Sequence, residues 1–265
     1  MAKIGFIGMG NMGHAMLKGV LNVFNKNEII FTDSNEDRMK KVTYETEVEH
    51  ALSNAECANS AKYIILAVKP QIYDLVLSNI NDIIKPENVI ISIAPGISID
   101  YLHRKLGSEI RIVRAMPNTP ALLGEGMTGV SYDSRELNFD EKDDIKKIFS
   151  SFGKMKIVEE KMINTVVCAS GSSPAYVYMF IEALADSVVK YGMSRSDAYE
   201  FVAQTVLGSA KMVLDTKAHP GILKDMVCSP GGTTITAVEA LEEHGFRNAL
   251  MKATDACFDK ANHIK

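Results

Sequence analysis

The stretch GFIGMGNMG, residues 5–13, decides how this chain is read. Gly8, Gly10 and Gly13 stand in the order G-x-G-x-x-G, between an apolar run and a helical pattern. In that setting each glycine has a task. Gly8 allows a tight turn, Gly10 lets the backbone approach a pyrophosphate, and Gly13 lets helix and strand pack closely. Unpaired amides at the helix start, at Asn11 and Met12, then face the anion. The alternative is a flexible turn that binds nothing.

The surrounding pattern extends the first reading. KIGFIG (3–8), EIIFTD (28–33), KYIILAV (62–68), NVIISIA (88–94) and IRIVRAM (110–116) read as strands. Their continuous β-branched runs suit strands covered on both faces. Helical stretches alternate with them, among them NMGHAMLKGVLNVF (11–24) and NEDRMKKV (35–42). The alternation predicts an α/β domain with a parallel, doubly wound sheet of Rossmann type. GMTGVSYD (126–133) and KMKIVEE (154–160) add two last strands around the helix EKDDIKKIFSSF (141–152).

After about Glu160 the strand pattern stops. SPAYVYMFIEALADSVVKYG (173–192) reads as one long helix. Ser173 is the expected N-cap, Pro174 the first helical residue and Gly192 the residue past the end. Val177, Phe180, Ile181, Leu184, Val188 and Tyr191 recur at helical spacing. RSDAYEFVAQTVLGSAKMVL (195–214) and GFRNALMKATDACFDKANHI (245–264) are further helices. The apolar faces of this half either pack on the sheet domain or are buried against a partner.

Bulk properties narrow the function classes. The 265 residues carry a formal net charge of −4, with 46% hydrophobic and 23% charged residues. That balance gives no overall pull toward nucleic acid or an anionic membrane. The longest apolar run, Tyr63 to Val68, is far too short to span a bilayer. No basic segment with a cleavage site precedes the first strand, so no signal peptide is expected. Cys57, Cys168, Cys228 and Cys257 form no C-x-x-C pair, and reduced thiols in the cytoplasm are expected. No His/Cys/Asp cluster suggests a metal.

Two further stretches bear on chemistry. At the end of the second strand, Asp33 is placed to accept hydrogen bonds from the adenosine ribose and to repel a 2′-phosphate. It also fits as the N-cap of the next helix. The one nearby arginine that could reach a 2′-phosphate is Arg38. Far downstream, CSPGGTTITAVEALEEHG (228–245) holds a Pro230-Gly231-Gly232 turn before a helix. Free amides and hydroxyls there make an anion site with a positive helix end behind them. The plainer reading is a turn in which Thr233 or Thr234 caps the helix. A dinucleotide cradle and a separate small-anion cradle in one chain suit a reductase acting on a carboxylate. His219, in His-Pro-Gly, reads as a turn residue.

At this point the sequence resembles pyrroline-5-carboxylate reductase. The resemblance rests on GFIGMGNMG, LAVKPQ (66–71), RAMPNTPALLGEG (114–126), SGSSPAYVYMFIEALAD (170–186) and HPGILKDMVCSPGGTTITAVEALEEHGFR (219–247), in that order. It implies NAD(P)H-dependent reduction of 1-pyrroline-5-carboxylate to L-proline. It implies a Rossmann domain over 1–159 and an all-α dimerisation and substrate domain over 160–265. It implies a homodimer, often assembled into decamers, with the partner completing the substrate site. Carried over residue by residue, Gly8, Gly10, Asn11, Met12 and Gly13 hold the pyrophosphate. Asp33 and Ser34 flank the adenosine ribose, and Asn54 in SNAE contacts it. Ala67, Val68, Lys69 and Pro70 border the cofactor, and Asn118 and Thr119 lie near the nicotinamide. Ser229, Gly231, Gly232, Thr233 and Thr234 bind the substrate carboxylate, with Thr234, the expected catalytic residue, nearest the ring nitrogen. Relatives carry Asn-Arg or small polar residues where this chain has Asp33-Ser34, and the change points toward NADH.

The chemistry needed is modest. Hydride must reach the carbon of an imine protonated on nitrogen, held about 3–3.5 Å away, so positioning supplies most of the catalysis. A threonine hydroxyl is poorly acidic, so water or a substrate already protonated are rival proton sources. A β-hydroxyacid dehydrogenase would share the plan, but needs a lysine early in the long helix, and none occurs before Lys190. A non-catalytic NAD(P)H sensor would need no carboxylate site.

Overall fold

In the computed structural model residues 2–263 are described. The last residue of the expected final helix, Ile264, and the outermost residues of both expected domains lie outside them. In chain order the elements are β1 (Ala2–Ile7), α1 (Asn11–Val20), β2 (Ile29–Thr32), α2 (Glu36–Thr46), α3 (Asn54–Ser60), β3 (Ala61–Leu66) and α4 (Tyr73–Ile80). There follow β4 (Val89–Ser92), α5 (Ile99–Leu106), β5 (Arg111–Met116), β6 (Gly126–Ser131), α6 (Phe139–Ser150) and β7 (Gly153–Ile157). Then come α7 (Ile163–Val166), α8 (Ser173–Val189), α9 (Arg195–Thr216), α10 (Pro220–Val227), α11 (Thr233–Glu243) and α12 (Phe246–Asn262).

The described strands form one sheet in the order β2-β1-β3-β4-β5-β6-β7. The first five run parallel, with Ile4 opposite both Ile29 and Tyr63, and Ile7 opposite Leu66. Both faces are covered. Ile4, Phe6, Ile65, Ile91 and Val113 join α1 and α6 in one core, while Ile64, Leu66, Ile90 and Ile112 join α3, α4 and α5 in another. Alternate residues thus enter opposite cores, which is why these strands read as unbroken apolar runs.

Two details differ from the sequence reading. β6 lies antiparallel to β5, and β7 runs parallel to β6, so the last two strands oppose the first five. The short connection through Thr119–Leu123 allows this, because an antiparallel neighbour needs no crossover helix. The long helix begins at Ser173, one residue earlier than the expected start at Pro174. It is preceded by a π-helical turn at Val167–Gly171 in which the Ser172 amide donates to the Val167 carbonyl at 2.8 Å.

The described residues divide into two compact units: 2–172 with 257–263, and 173–256. The change of element type at about 160 therefore precedes the change of packing. Ile163, Val167 and Cys168 are buried within the first unit. In the second unit the buried apolar residues are Ala185, Ala198 and Val202, among the described residues. The face of α8 that reads as apolar is largely uncovered: Val177, Phe180 and Leu184 are each about 40% exposed and Tyr191 80%.

The first unit also carries a buried carboxylate far from the glycine loop. Glu141, 1% exposed, accepts from Lys62 Nζ at 2.9 Å, Arg111 Nη1 at 2.5 Å and the Asn138 amide at 3.1 Å. Burial pushes its pKa up, but the bonds from Lys62, Asn138 and Arg111 outweigh burial and hold it below the usual 4.5. A depressed carboxyl contributes stability that is present above the ordinary value and lost as pH falls through the folded one. Glu141→Gln should therefore lower unfolding stability by about 3 kcal/mol at pH 7. That deficit should shrink below about pH 4.5 in urea titrations at fixed protein concentration. A deficit independent of pH would show that charge is not what the site uses.

Candidate active site

The order β2-β1-β3 puts the topological switch at the carboxyl end of β1, the crevice where open α/β sheets bind ligands. Backbone bonds fix this crevice on both sides. The Gly8 amide donates to the Thr32 carbonyl at 2.9 Å, and the Ala67 amide to the Ile7 carbonyl at 2.8 Å. Tyr73 Oη donates to the Leu66 carbonyl at 3.0 Å and bonds Ser92 Oγ at 2.9 Å, which steadies the segment leading into Ala67 and Val68.

The three glycines differ in what a side chain would meet. At Gly8, with φ of 99°, a Cβ would lie 2.7 Å from the Ala67 carbonyl oxygen and from Val68 Cγ1. At Gly13 it would lie 2.3 Å from the Gly8 carbonyl oxygen. At Gly10 it would meet nothing within 4 Å among the described residues. Gly8 and Gly13 are thus required by the protein itself, whereas Gly10 borders open space. Gly10 is also the N-cap of α1, so no side chain caps the helix, and its first turn holds no acid. The first amides of α1 and its positive end are available to an anion. These features fit a dinucleotide pyrophosphate.

A cleft of about 310 Å³ runs from this point. It is lined by Gly8, Gly10, Asp33, Ser34, Arg38, Asn54, Ala67, Val68 and Lys69. Pro70 opens the short helical turn beyond it. Asn11 lines an adjoining groove, and Met12 packs toward the core. Asp33 does not cap α2; Asn35 does, accepting from the Arg38 amide at 2.9 Å. Instead Asp33 Oδ2 accepts the Met9 amide at 2.6 Å, tying the glycine loop to the end of β2.

Asn118, 8% exposed, is engaged at both ends of its amide. Its Nδ2 donates to the Ser170 carbonyl at 3.0 Å and its Oδ1 accepts the Met127 amide at 2.8 Å. It therefore shapes the loop after β5. A supporting group went unread in the sequence. Arg114, 6% exposed, donates to Glu160 Oε1 at 3.2 Å and Asn164 Oδ1 at 3.1 Å. Glu160 Oε1 also accepts the Ile99 amide at 2.7 Å, joining β5 to the start of α5. An arginine inside the apolar run IRIVRAM was the available signal, since a buried cation needs a partner.

The second unit presents the Pro230-Gly231-Gly232 turn. Gly231 has φ of 67°, a left-handed conformation that favours glycine, and the Gly232 amide donates to the Ser229 carbonyl at 3.0 Å. Gly232 is the N-cap of α11, with Thr233 and Thr234 as the first two helical residues. Neither threonine hydroxyl caps the helix, which corrects the capping alternative. Thr233 is exposed and Thr234 half-buried, and no acid occupies the first turn of α11. His219 caps α10 through Nδ1, which accepts the Gly221 amide at 3.1 Å. α8 carries no lysine, so the base a hydroxyacid dehydrogenase needs is missing there.

The loop geometry separates two variants. Gly10→Ala should keep stability within about 1 kcal/mol, the scale of a helix-cap change, while weakening dinucleotide binding at least tenfold by calorimetry. Gly13→Ala should lower the melting temperature as well, because its Cβ overlaps the Gly8 carbonyl. Equal nucleotide binding by the Gly10 variant and the unaltered chain would remove the pyrophosphate assignment.

Comparison with known proteins fits this geometry. The family described as pyrroline-5-carboxylate reductase dimerisation matches residues 160–264. The family described as NADP oxidoreductase, coenzyme F420-dependent, matches residues 3–96. The pyrroline-5-carboxylate reductase of Escherichia coli is 48% identical over 99% of this chain and 98% of its own length. That of Methanosarcina acetivorans is 39% identical over 99% of this chain and 97% of its own. The crystal structure of Plasmodium falciparum pyrroline carboxylate reductase with NADP bound superposes with a TM-score of 0.90. It is 35% identical and covers 98% of this chain and 97% of its own. The chain belongs to the pyrroline-5-carboxylate reductase family.

Proposed function

We propose that this chain catalyses the NAD(P)H-dependent reduction of 1-pyrroline-5-carboxylate to L-proline, the last step of proline biosynthesis. The reduced nicotinamide, when bound, supplies the hydride. The observation that carries the reading is the pair of uncapped helix starts, at Gly10 and at Gly232, each without an acid in its first turn. One suits the dinucleotide and the other a small carboxylate.

In this reading the amides of Asn11, Met12 and Gly13 hold the pyrophosphate. Ser34 and Asn54 border the adenosine, and Ala67, Val68, Lys69 and Pro70 form the wall of the cleft. Asn118 acts by holding its loop in place. Ser229 and the amides of Gly231, Gly232 and Thr233 hold the substrate carboxylate. The Thr234 hydroxyl hydrogen-bonds the imine nitrogen and so helps to present the imine carbon. Because the Thr234 hydroxyl does not cap α11, Thr234→Ala should leave the melting temperature nearly unchanged. Loss of a hydrogen bond to a charged group costs about 1.5–3 kcal/mol, so kcat/KM should fall roughly ten- to hundredfold. Thr234→Ser should lie between the two. Unchanged turnover in the Ala variant would remove Thr234 as a substrate contact.

NADH is proposed to serve at least as well as NADPH, because the Asp33 carboxylate at the end of β2 engages the Arg38 guanidinium that a 2′-phosphate would need. Values of kcat/KM for the two cofactors test this. A preference for NADPH above about tenfold, roughly 1.4 kcal/mol, would contradict it.

The working form is proposed to be a homodimer joined through the helical unit, with a decamer as a further assembly. Large apolar side chains left uncovered there, such as Phe201 (66% exposed) and Met226 (70%), support this. Sedimentation at micromolar concentration should show no active monomer. Four unpaired cysteines suit a reducing compartment and a cytoplasmic location. Among the described residues no helix is long and apolar enough to cross a membrane.

A further inference from the structure

The end of β2 holds an ion pair whose arrangement departs from simple ribose recognition. The Asp33 side chain is only 6% exposed. Its Oδ2 accepts the Met9 amide at 2.6 Å and its Oδ1 accepts the Asn35 amide at 2.9 Å. Arg38 Nη1 adds bonds of 3.2 Å to both oxygens. A carboxylate offers about four acceptor positions, so little capacity is left for a ligand hydroxyl. Arg38 is differently placed. Its side chain is 45% exposed, and it lines both the cleft at Gly8–Gly10 and the adjoining groove of about 380 Å³ along Asn11, Asn35 and Lys41.

The two members of the pair therefore have separate tasks. Asp33 spends its charge inside the protein, holding the glycine loop to β2. Arg38 covers that charge and presents the cationic side of the pair to solvent. A dianionic group entering the cleft meets the guanidinium before the carboxylate. A planar guanidinium also suits phosphate oxygens.

We infer that Arg38 sets the ratio of NADPH to NADH use in this chain, by screening Asp33 and offering its guanidinium to a 2′-phosphate. The inference rests on the proposed nicotinamide chemistry and assigns its selectivity to a residue of α2. Removing the guanidinium uncovers Asp33 to the phosphate. Removing the carboxylate frees the guanidinium for it. The two substitutions must then move selectivity in opposite directions.

Calorimetric titration of the purified full chain with NADP+ and NAD+ reads this without turnover. Arg38→Gln should raise the ratio of dissociation constants, NADP+ over NAD+, about tenfold or more. Asp33→Asn should lower it, and Arg38→Lys, which keeps the charge, should fall between Arg38→Gln and the unaltered chain. Added salt should shrink the effect of Arg38→Gln, since the pair is partly exposed. A ratio that moves less than about twofold in Arg38→Gln, or rises in Asp33→Asn, would overturn the inference while leaving the reductase reading intact. Failure of the unaltered chain to bind either nucleotide would overturn the nicotinamide reading and this inference with it.

Discussion

The carboxyl edge of the sheet depends on how closely Gly13 approaches the Gly8 carbonyl. A side chain at Gly13 would come within 2.3 Å of that oxygen, so the start of α1 sits against the end of β1 only because no Cβ intervenes. From that contact the rest of the crevice follows. The Gly8 amide reaches β2, the Ala67 amide reaches β1, and the Asp33 carboxylate draws Met9 toward the end of β2. Three strand ends and one helix start thereby become a single rigid cradle. Gly10 alone is left facing open space, where a ligand can approach the backbone.

The helical unit obeys a different constraint. It buries few side chains within itself and leaves aromatic and aliphatic groups of α8, α9 and α10 exposed. Such a unit leaves apolar surface for a partner to cover, and in the proposed reading these faces and the carboxylate-binding turn serve one functional design. The uncapped start of α11 shows the same economy. A glycine N-cap forgoes the stability of a side-chain cap and leaves the amides to a ligand instead.

Much of this was legible in the sequence because the signals were local. Strand period, the spacing of Gly8, Gly10 and Gly13, and the Pro230-Gly231-Gly232 turn each report on neighbouring residues. What was not legible depended on distant partners. The reversal of β6 and β7 is a matter of which edge pairs with which, and their apolar pattern is the same in either direction. Helix α3 leaves no periodic signal, because SNAECANS is too short to show one. Asp33 reads as a ribose acceptor or a cap, yet its partner Met9 lies 24 residues away in the glycine loop. Arg114 and Glu160 are 46 residues apart, and only the folded chain shows them as a pair.

The central claim is that a hydride passes from a nicotinamide cofactor, anchored by its pyrophosphate at the Gly8–Gly13 loop, to a cyclic imine held by its carboxylate. The direct test is isotopic. The purified protein is given 1-pyrroline-5-carboxylate and NADH carrying deuterium at both C4 positions. The account predicts proline with a single deuterium on the former imine carbon, formed in step with oxidised nicotinamide. Proline without the label, or nicotinamide oxidation without proline, would contradict it.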